Sequence, residues 1–186
     1  MLGFGLLLVV LVVLVGWLVG IYNRLVRLKV SDEDAWAGID VQLKRRYDLI
    51  PNLVETVKGY AAHEKETLER VIQARNMAMS AQGPAEKAQA ENMLTGALKS
   101  IFALSEAYPQ LQAAGGFRDL QETLNEIEDQ IAQARRYYNA VVRDFNTRTQ
   151  TFPAVLVARS FGFTEREFFE VAESEKAVPR VSFGDG

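Results

Sequence analysis

The chain has 186 residues, enough for one domain or one domain plus an anchor, and its 48% hydrophobic and 24% charged residues are ordinary globular values. It has no cysteine and one histidine, which excludes a disulfide framework, thiolate chemistry and an iron–sulfur cluster and argues against a zinc enzyme. A net charge of −3 and a pI near 5.3 argue against a general nucleic-acid binder.

The charge is unevenly spread: residues 1–23 carry none of the 21 Lys+Arg or 24 Asp+Glu. The stretch from Leu2 to Tyr22 is apolar throughout. At about 1.5 Å rise per residue, roughly 20 helical residues span the hydrocarbon core of a bilayer. A cleaved signal peptide would begin with a basic region, carry a shorter apolar run and end in a small-residue cleavage site. None of these is present, so an uncleaved anchor is expected. Arg24, Arg27 and Lys29 follow the span and no Lys or Arg precedes it. The positive-inside bias then puts the N-terminus outside and the following domain in the cytoplasm. Trp17 and Tyr22 fall near the inner boundary, where amphipathic rings are favoured. Gly16 and Gly20 form a GxxxG pattern. It reads either as a helix-packing face or as the ordinary glycine content of membrane helices.

Ser31-Asp32-Glu33-Asp34 reads as the start of a water-soluble helix, with a capping hydroxyl and acids at the positive dipole end. An apolar stripe of Trp36, Ile39, Leu43, Tyr47, Ile50, Val54, Val57, Ala61, Leu68 and Val71 predicts one long helix to about Met79. Pro51 lies within it and predicts a bend rather than a break, because the stripe keeps its phase. Lys44-Arg45-Arg46 reads as a solvated helix face. Pro84 opens a second helix over residues 85–113, disturbed near its end by Pro109 and closed by Gly115-Gly116. The third helix has the clearest pattern: Phe117, Leu120, Leu124, Ile127, Ile131, Ala134, Tyr138, Val141 and Phe145 alternate steps of three and four, a coiled-coil-like seam. Pro153 predicts a short apolar helix, and Thr164-Glu165-Arg166-Glu167 a second helix start.

The expected fold is therefore all-α, a single transmembrane helix plus a mostly antiparallel bundle of three long helices and one or two short C-terminal ones. The expected divisions are an anchor over 1–23, a basic juxtamembrane linker over 24–30, a helical bundle over 31–177 and an irregular tail over 178–186.

No phosphate loop, dinucleotide fingerprint or nucleophile elbow is present, and no cofactor is expected. His63-Glu64 begins like a zinc-protease motif but lacks the second histidine. Glu64 stands where the stripe requires an apolar residue. It is expected in an ion pair with a bundle arginine or on an exposed stretch of the stripe, with a polar partner site as the alternative.

Several stretches resemble the LemA family. The core is Arg46-Tyr47-Asp48-Leu49-Ile50-Pro51-Asn52-Leu53-Val54, continuing through Val57-Lys58-Gly59-Tyr60-Ala61 to His63-Glu64. Ala74-Arg75-Asn76, Ser105-Glu106-Ala107-Tyr108-Pro109, Ala134-Arg135-Arg136-Tyr137-Tyr138-Asn139, and Val157-Ala158 before Gly162-Phe163 are similar as well. The resemblance implies a bacterial membrane-anchored helical bundle with its N-terminus outside. It implies no enzymatic activity and carries over no catalytic residue.

Two functions compete. One is a scaffold that self-assembles at the bacterial inner membrane, supported by the glycine pair and the long seams. The other is an adaptor for a membrane protease or another envelope protein, docking through the Pro51-Asn52 region and the C-terminal aromatics. The expected partners are membrane lipid, further copies of the chain and a membrane protein, with no nucleic acid.

Overall fold

A computed structural model describes residues 2–169 of the chain. The expected tail over 178–186 and the end of the expected bundle lie outside these residues. The fold is all-α: six helices and no strand among the described residues. These are α1 (Leu2–Tyr60), α2 (Lys65–Ser80), α3 (Gly83–Ser105), α4 (Pro109–Ala113), α5 (Gly115–Gln150) and α6 (Ala154–Ser160).

Two compact units form, one from residues up to Gln42 with Ile131–Phe168, the other from Leu43–Gln130 with Phe169. Their boundaries fall inside α1 and α5, so each of these helices contributes to both.

In the first unit α1 runs from the apolar stretch into the bundle without a break. This corrects the expected start at Ser31. The stripe continues upstream, because Asp32 faces inward at 5% exposure and lies in phase with buried Leu25 and Ile39. Lys29 and Glu33 pair across the same turn at 3.9 Å. Residues 24–30 are thus helical. α5 packs beside α1, with the rings of Trp36 and Tyr138 5.4 Å apart. Tyr138, Val142 and Phe145 supply the buried face of α5 in this unit.

α6 follows Pro153, as its sequence predicts. It ends where Gly162 takes a φ of +71°. The Phe163 amide then reaches back to the Ala158 carbonyl at 2.9 Å, a left-handed helix cap that a glycine permits. The expected helix start at Thr164 does not form, and residues 163–169 are irregular. Their backbone is used elsewhere: the Arg166 amide donates to Asn146 Oδ1 at 2.8 Å, and Asn146 Nδ2 donates to the Arg166 carbonyl at 2.9 Å. The Tyr138 hydroxyl donates to the Glu167 carbonyl at 2.8 Å.

In the second unit α1 ends at Tyr60 rather than near Met79, so the expected single long helix is two. Pro51 is inside α1, which continues nine residues beyond it. The break falls at residues 61–64, just after Gly59, where the chain reverses and buries Ala61. Glycine weakens the last helical turn, and the gain comes from pairing α2 against α1. Arg75 Nε donates to the Tyr47 carbonyl at 2.9 Å, and Tyr47 Oη lies 3.3 Å from the Ala78 carbonyl.

The next reversal uses Gly83 at φ +74°, with Pro84 in the first turn of α3. Pro109 begins α4 instead of disturbing α3, which has already ended at Ser105. Gly115 and Gly116 form the first turn of α5 rather than a gap. Leu43, Ile50, Leu53, Val57, Leu94, Leu98, Ile101, Leu111, Phe117, Leu124 and Ile127 are buried in this unit. Each such aliphatic or aromatic side chain contributes about 1.5–3 kcal/mol on leaving water.

Candidate functional site

Two kinds of feature stand apart from ordinary core packing. The first is the anchor and its junction with the first unit. From Gly3 to Gly20 every residue of α1 is exposed, although nearly all are apolar. A Cβ added at Gly16 or Gly20 would meet nothing within 4 Å. Gly20 also lines a cleft of about 360 Å³ with Trp17, Ile21, Arg24, Arg148 and Phe152. Trp17 is exposed, whereas Tyr22 is half-buried with its ring 4.8 Å from Phe161 and 5.8 Å from Phe163. Arg24, Arg27 and Lys29 are all exposed directly beyond the apolar stretch.

The second is a pair of buried polar clusters. In the second unit Arg46 is 3% exposed. Its guanidinium reaches Glu91 at 3.2 Å, Glu128 at 3.0 Å and the Thr95 hydroxyl at 2.7 Å. Tyr47 donates its hydroxyl to the other Glu91 oxygen, and Lys87 lies close enough to act on the same carboxylate. Burial pushes the Glu91 carboxyl above its usual range, against the lowering effects of the Tyr47 bond and the Arg46 and Lys87 charges. Reading Lys44-Arg45-Arg46 as a solvated face therefore fails at Arg46. The signal was present: Leu25, Asp32, Ile39, Arg46 and Leu53 recur every seven residues, and all five are buried. Arg46 and Asp32 occupy a core position of a heptad.

In the first unit Arg166 Nε lies 3.3 Å from Asp32 Oδ2, and its guanidinium carbon sits 5.8 Å above the Phe145 ring. Burial raises the Asp32 carboxyl, Arg166 opposes this, and Glu33 adds to it. Burial likewise pushes the Tyr138 phenol up to about 12, so it stays protonated and keeps donating to Glu167.

The other residues singled out in the sequence do not converge. Pro51 and Asn52 are exposed on α1, and the Asn52 carbonyl accepts from the Thr56 hydroxyl at 2.8 Å. His63 is exposed in the turn between α1 and α2. Glu64 is half-buried at that turn and accepts the Tyr108 hydroxyl at 3.0 Å, which raises the phenol's pKa. Its partner is thus a tyrosine and not the expected arginine. Among the described residues no three His, Asp or Glu side chains gather to hold a metal ion. The Arg46 cluster has the character of a structural lock, since its charges face one another and hydrogen-bond partners, whereas Asp32 Oδ1 and Arg166 Nε are buried without a hydrogen bond among the described residues.

The sequence model of the LemA family matches residues 35–183. Protein LemA of Metamycoplasma hominis is 28% identical over 162 residues, covering 85% of this chain and 73% of that protein. Magnetosome protein MamQ 2 of Paramagnetospirillum magneticum is 25% identical over 175 residues, covering 80% of this chain. Magnetosome protein MamQ of Magnetospirillum gryphiswaldense is 25% identical over 174 residues. The chain spans 64% of the length of both magnetosome proteins.

Proposed function

The chain belongs to the LemA family, and from that premise we propose that it is a non-enzymatic scaffold, held in the bacterial inner membrane by α1, which assembles with further copies of itself. The observation that carries this reading is the open glycine face. Gly16 and Gly20 lie one turn apart on an exposed apolar helix, and a Cβ added at either would meet nothing within 4 Å. Lipid gives no hydrophobic drive between membrane helices, so close backbone approach at small residues must supply the attraction. Arg24, Arg27 and Lys29 beyond the span support a cytoplasmic bundle and an outward N-terminus. The buried ion clusters support rigidity rather than turnover, because their charged groups are engaged with one another.

The test is the mass of the full-length protein in mild detergent, with and without Gly16→Ile and Gly20→Ile together. A Cβ at either position meets nothing within 4 Å, and circular dichroism of the double variant checks that the bundle stays folded. The scaffold reading expects an oligomer that the double change reduces to smaller species. A monomer at micromolar concentration would remove its basis and favour the adaptor, with exposed Pro51 and Asn52 as a docking face. An oligomer indifferent to the change would move assembly to the bundle.

A further inference from the structure

Within the first unit, the apolar surface of α1 continues onto α6. Leu25, Val157 and Ala158 form a buried cluster against which Ile21, Tyr22 and Phe163 pack. This contact fixes α6 beside the last turns of the apolar stretch. The edge of this contact is open to solvent: Leu156 is 59% exposed, and Phe161, just past the end of α6, is 65% exposed although its ring meets Tyr22. Phe152, just before α6, is 79% exposed. An open groove of about 530 Å³ runs between α1 and α6, lined by Leu18, Val19, Tyr22, Leu156, Ser160 and Phe161 among others. One hydroxyl is its main polar side chain besides the tyrosine.

Depth decides what covers this surface. From Gly3 to Tyr22 a helix rises about 30 Å, the thickness of the hydrocarbon core. Leu18 to Tyr22 is the last ~6 Å of that distance. Any side chain packed at the level of Leu18–Tyr22 therefore shares the depth of the lipid boundary. We infer that α6, with Phe152 and Phe161, is a second membrane-inserted element, and that the groove between α1 and α6 takes a phospholipid acyl chain from the leaflet on the bundle side. The inference rests on the reading of α1 as a membrane span. Its support is continuity: the groove's α1 wall, Leu18 and Val19, is the span itself. Arg159, exposed in the last turn of α6, has the reach to put its charge among headgroups while its stem stays apolar. Phe161, its ring tilted 56° against that of Tyr22, makes a short aromatic belt at that level.

The chain contains no cysteine, so single labels can be placed at will. Full-length Leu156→Cys and Phe161→Cys, each carrying an environment-sensitive fluorophore, would be reconstituted in vesicles of neutral and anionic phospholipid. Val10→Cys reports on the span. Tyr137→Cys, exposed on α5 beside the Trp36 level of α1, reports on water. All four replaced side chains are exposed, so the core is undisturbed. The expected result is quenching at positions 156 and 161 by nitroxide-bearing lipid, blue-shifted emission and loss of iodide quenching, with the reverse at position 137. Iodide access at 156 and 161 while position 10 is quenched by lipid overturns this inference and leaves the anchor standing. Iodide access at position 10 overturns both. Shielding at 156 and 161 that vanishes when the protein is diluted in lipid also overturns it, because a second copy would then be the occupant.

Discussion

Arg46 carries the most demanding electrostatics of any single residue described. It is buried against Glu91 and Glu128, so Arg46→Ala strands the Glu91 carboxylate without its cation. The expected cost is about 3–5 kcal/mol, read from chemical unfolding followed by circular dichroism. Arg46→Lys should recover only part of this, because one ammonium cannot reproduce a planar fork serving Glu91, Glu128 and Thr95. Glu91 has a pH consequence with a definite sign. Burial raises its folded pKa above the ordinary value, so its contribution to stability is fully present below the unfolded pKa. That contribution is lost as pH rises through the folded value. Glu91→Gln removes this titration. The stability difference between wild type and Glu91→Gln should therefore shift against the wild type as pH rises from below the ordinary carboxylate range through the raised folded value, and a shift the other way would show the Arg46 pairing to dominate. Asp32, raised by burial as well, acts in the same sense. None of this was legible from residue type alone, because Asp32 looked like a first-turn acid facing the helix dipole and Arg46 like a surface charge. Both become legible once the seven-residue spacing from Leu25 to Leu53 is followed through them.

Among the elements, those whose apolar period is regular were the ones that could be read. α5 buries Phe117, Leu124, Ile127, Ile131, Tyr138 and Phe145 as its spacing requires, with Val142 rather than Val141 as the one phase shift. The fold class follows from such stripes. The positions of the breaks did not, because tertiary pairing decides them. The turn at residues 61–64 carries no proline, and the stripe keeps its phase across it, apart from Glu64, because Ala61 and Leu68 are core residues on both sides of the reversal. The segment after α6 has the acids of a helix start, yet Asn146 and Tyr138 claim its backbone groups. Asn146→Ala should free the Arg166 amide to exchange with deuterium at a rate near that of an open loop. Its expected stability cost is about 1–3 kcal/mol for buried groups left without partners. Pro51 is exposed and interior to α1, where a proline is about 3 kcal/mol worse than alanine. Pro51→Ala should keep the fold and raise the thermal midpoint by a few degrees. A fall would mean that the proline shapes a contact the bundle needs.

For the whole molecule, the long apolar N-terminal helix and the helical class were legible in the sequence, while the division into two units was not, since it cuts across α1 and α5 instead of falling at a loop. The glycine pair Gly16 and Gly20 can be read from spacing alone, whereas the place of α6 depends on a contact between residues more than a hundred positions apart. A reporter fused after Gly186 should behave as cytoplasmic, because three basic residues follow the span, and export of a periplasm-only reporter would reverse the orientation. The uninterrupted passage of α1 from the apolar stretch into the first unit has a mechanical meaning. Without a hinge between them, the span is a shaft, and the first unit is fixed to it in both azimuth and inclination. Membrane helices relieve mismatch with bilayer thickness by changing tilt, which averages about 20°. A jointed anchor would absorb that change. Here the first unit must lean by the same angle, so lengthening or shortening the lipid chains should reorient α5 along with the span, and polarised infrared or oriented-sample magnetic resonance would register the two rotating together. Bilayer thickness is thereby converted into the attitude of a folded unit.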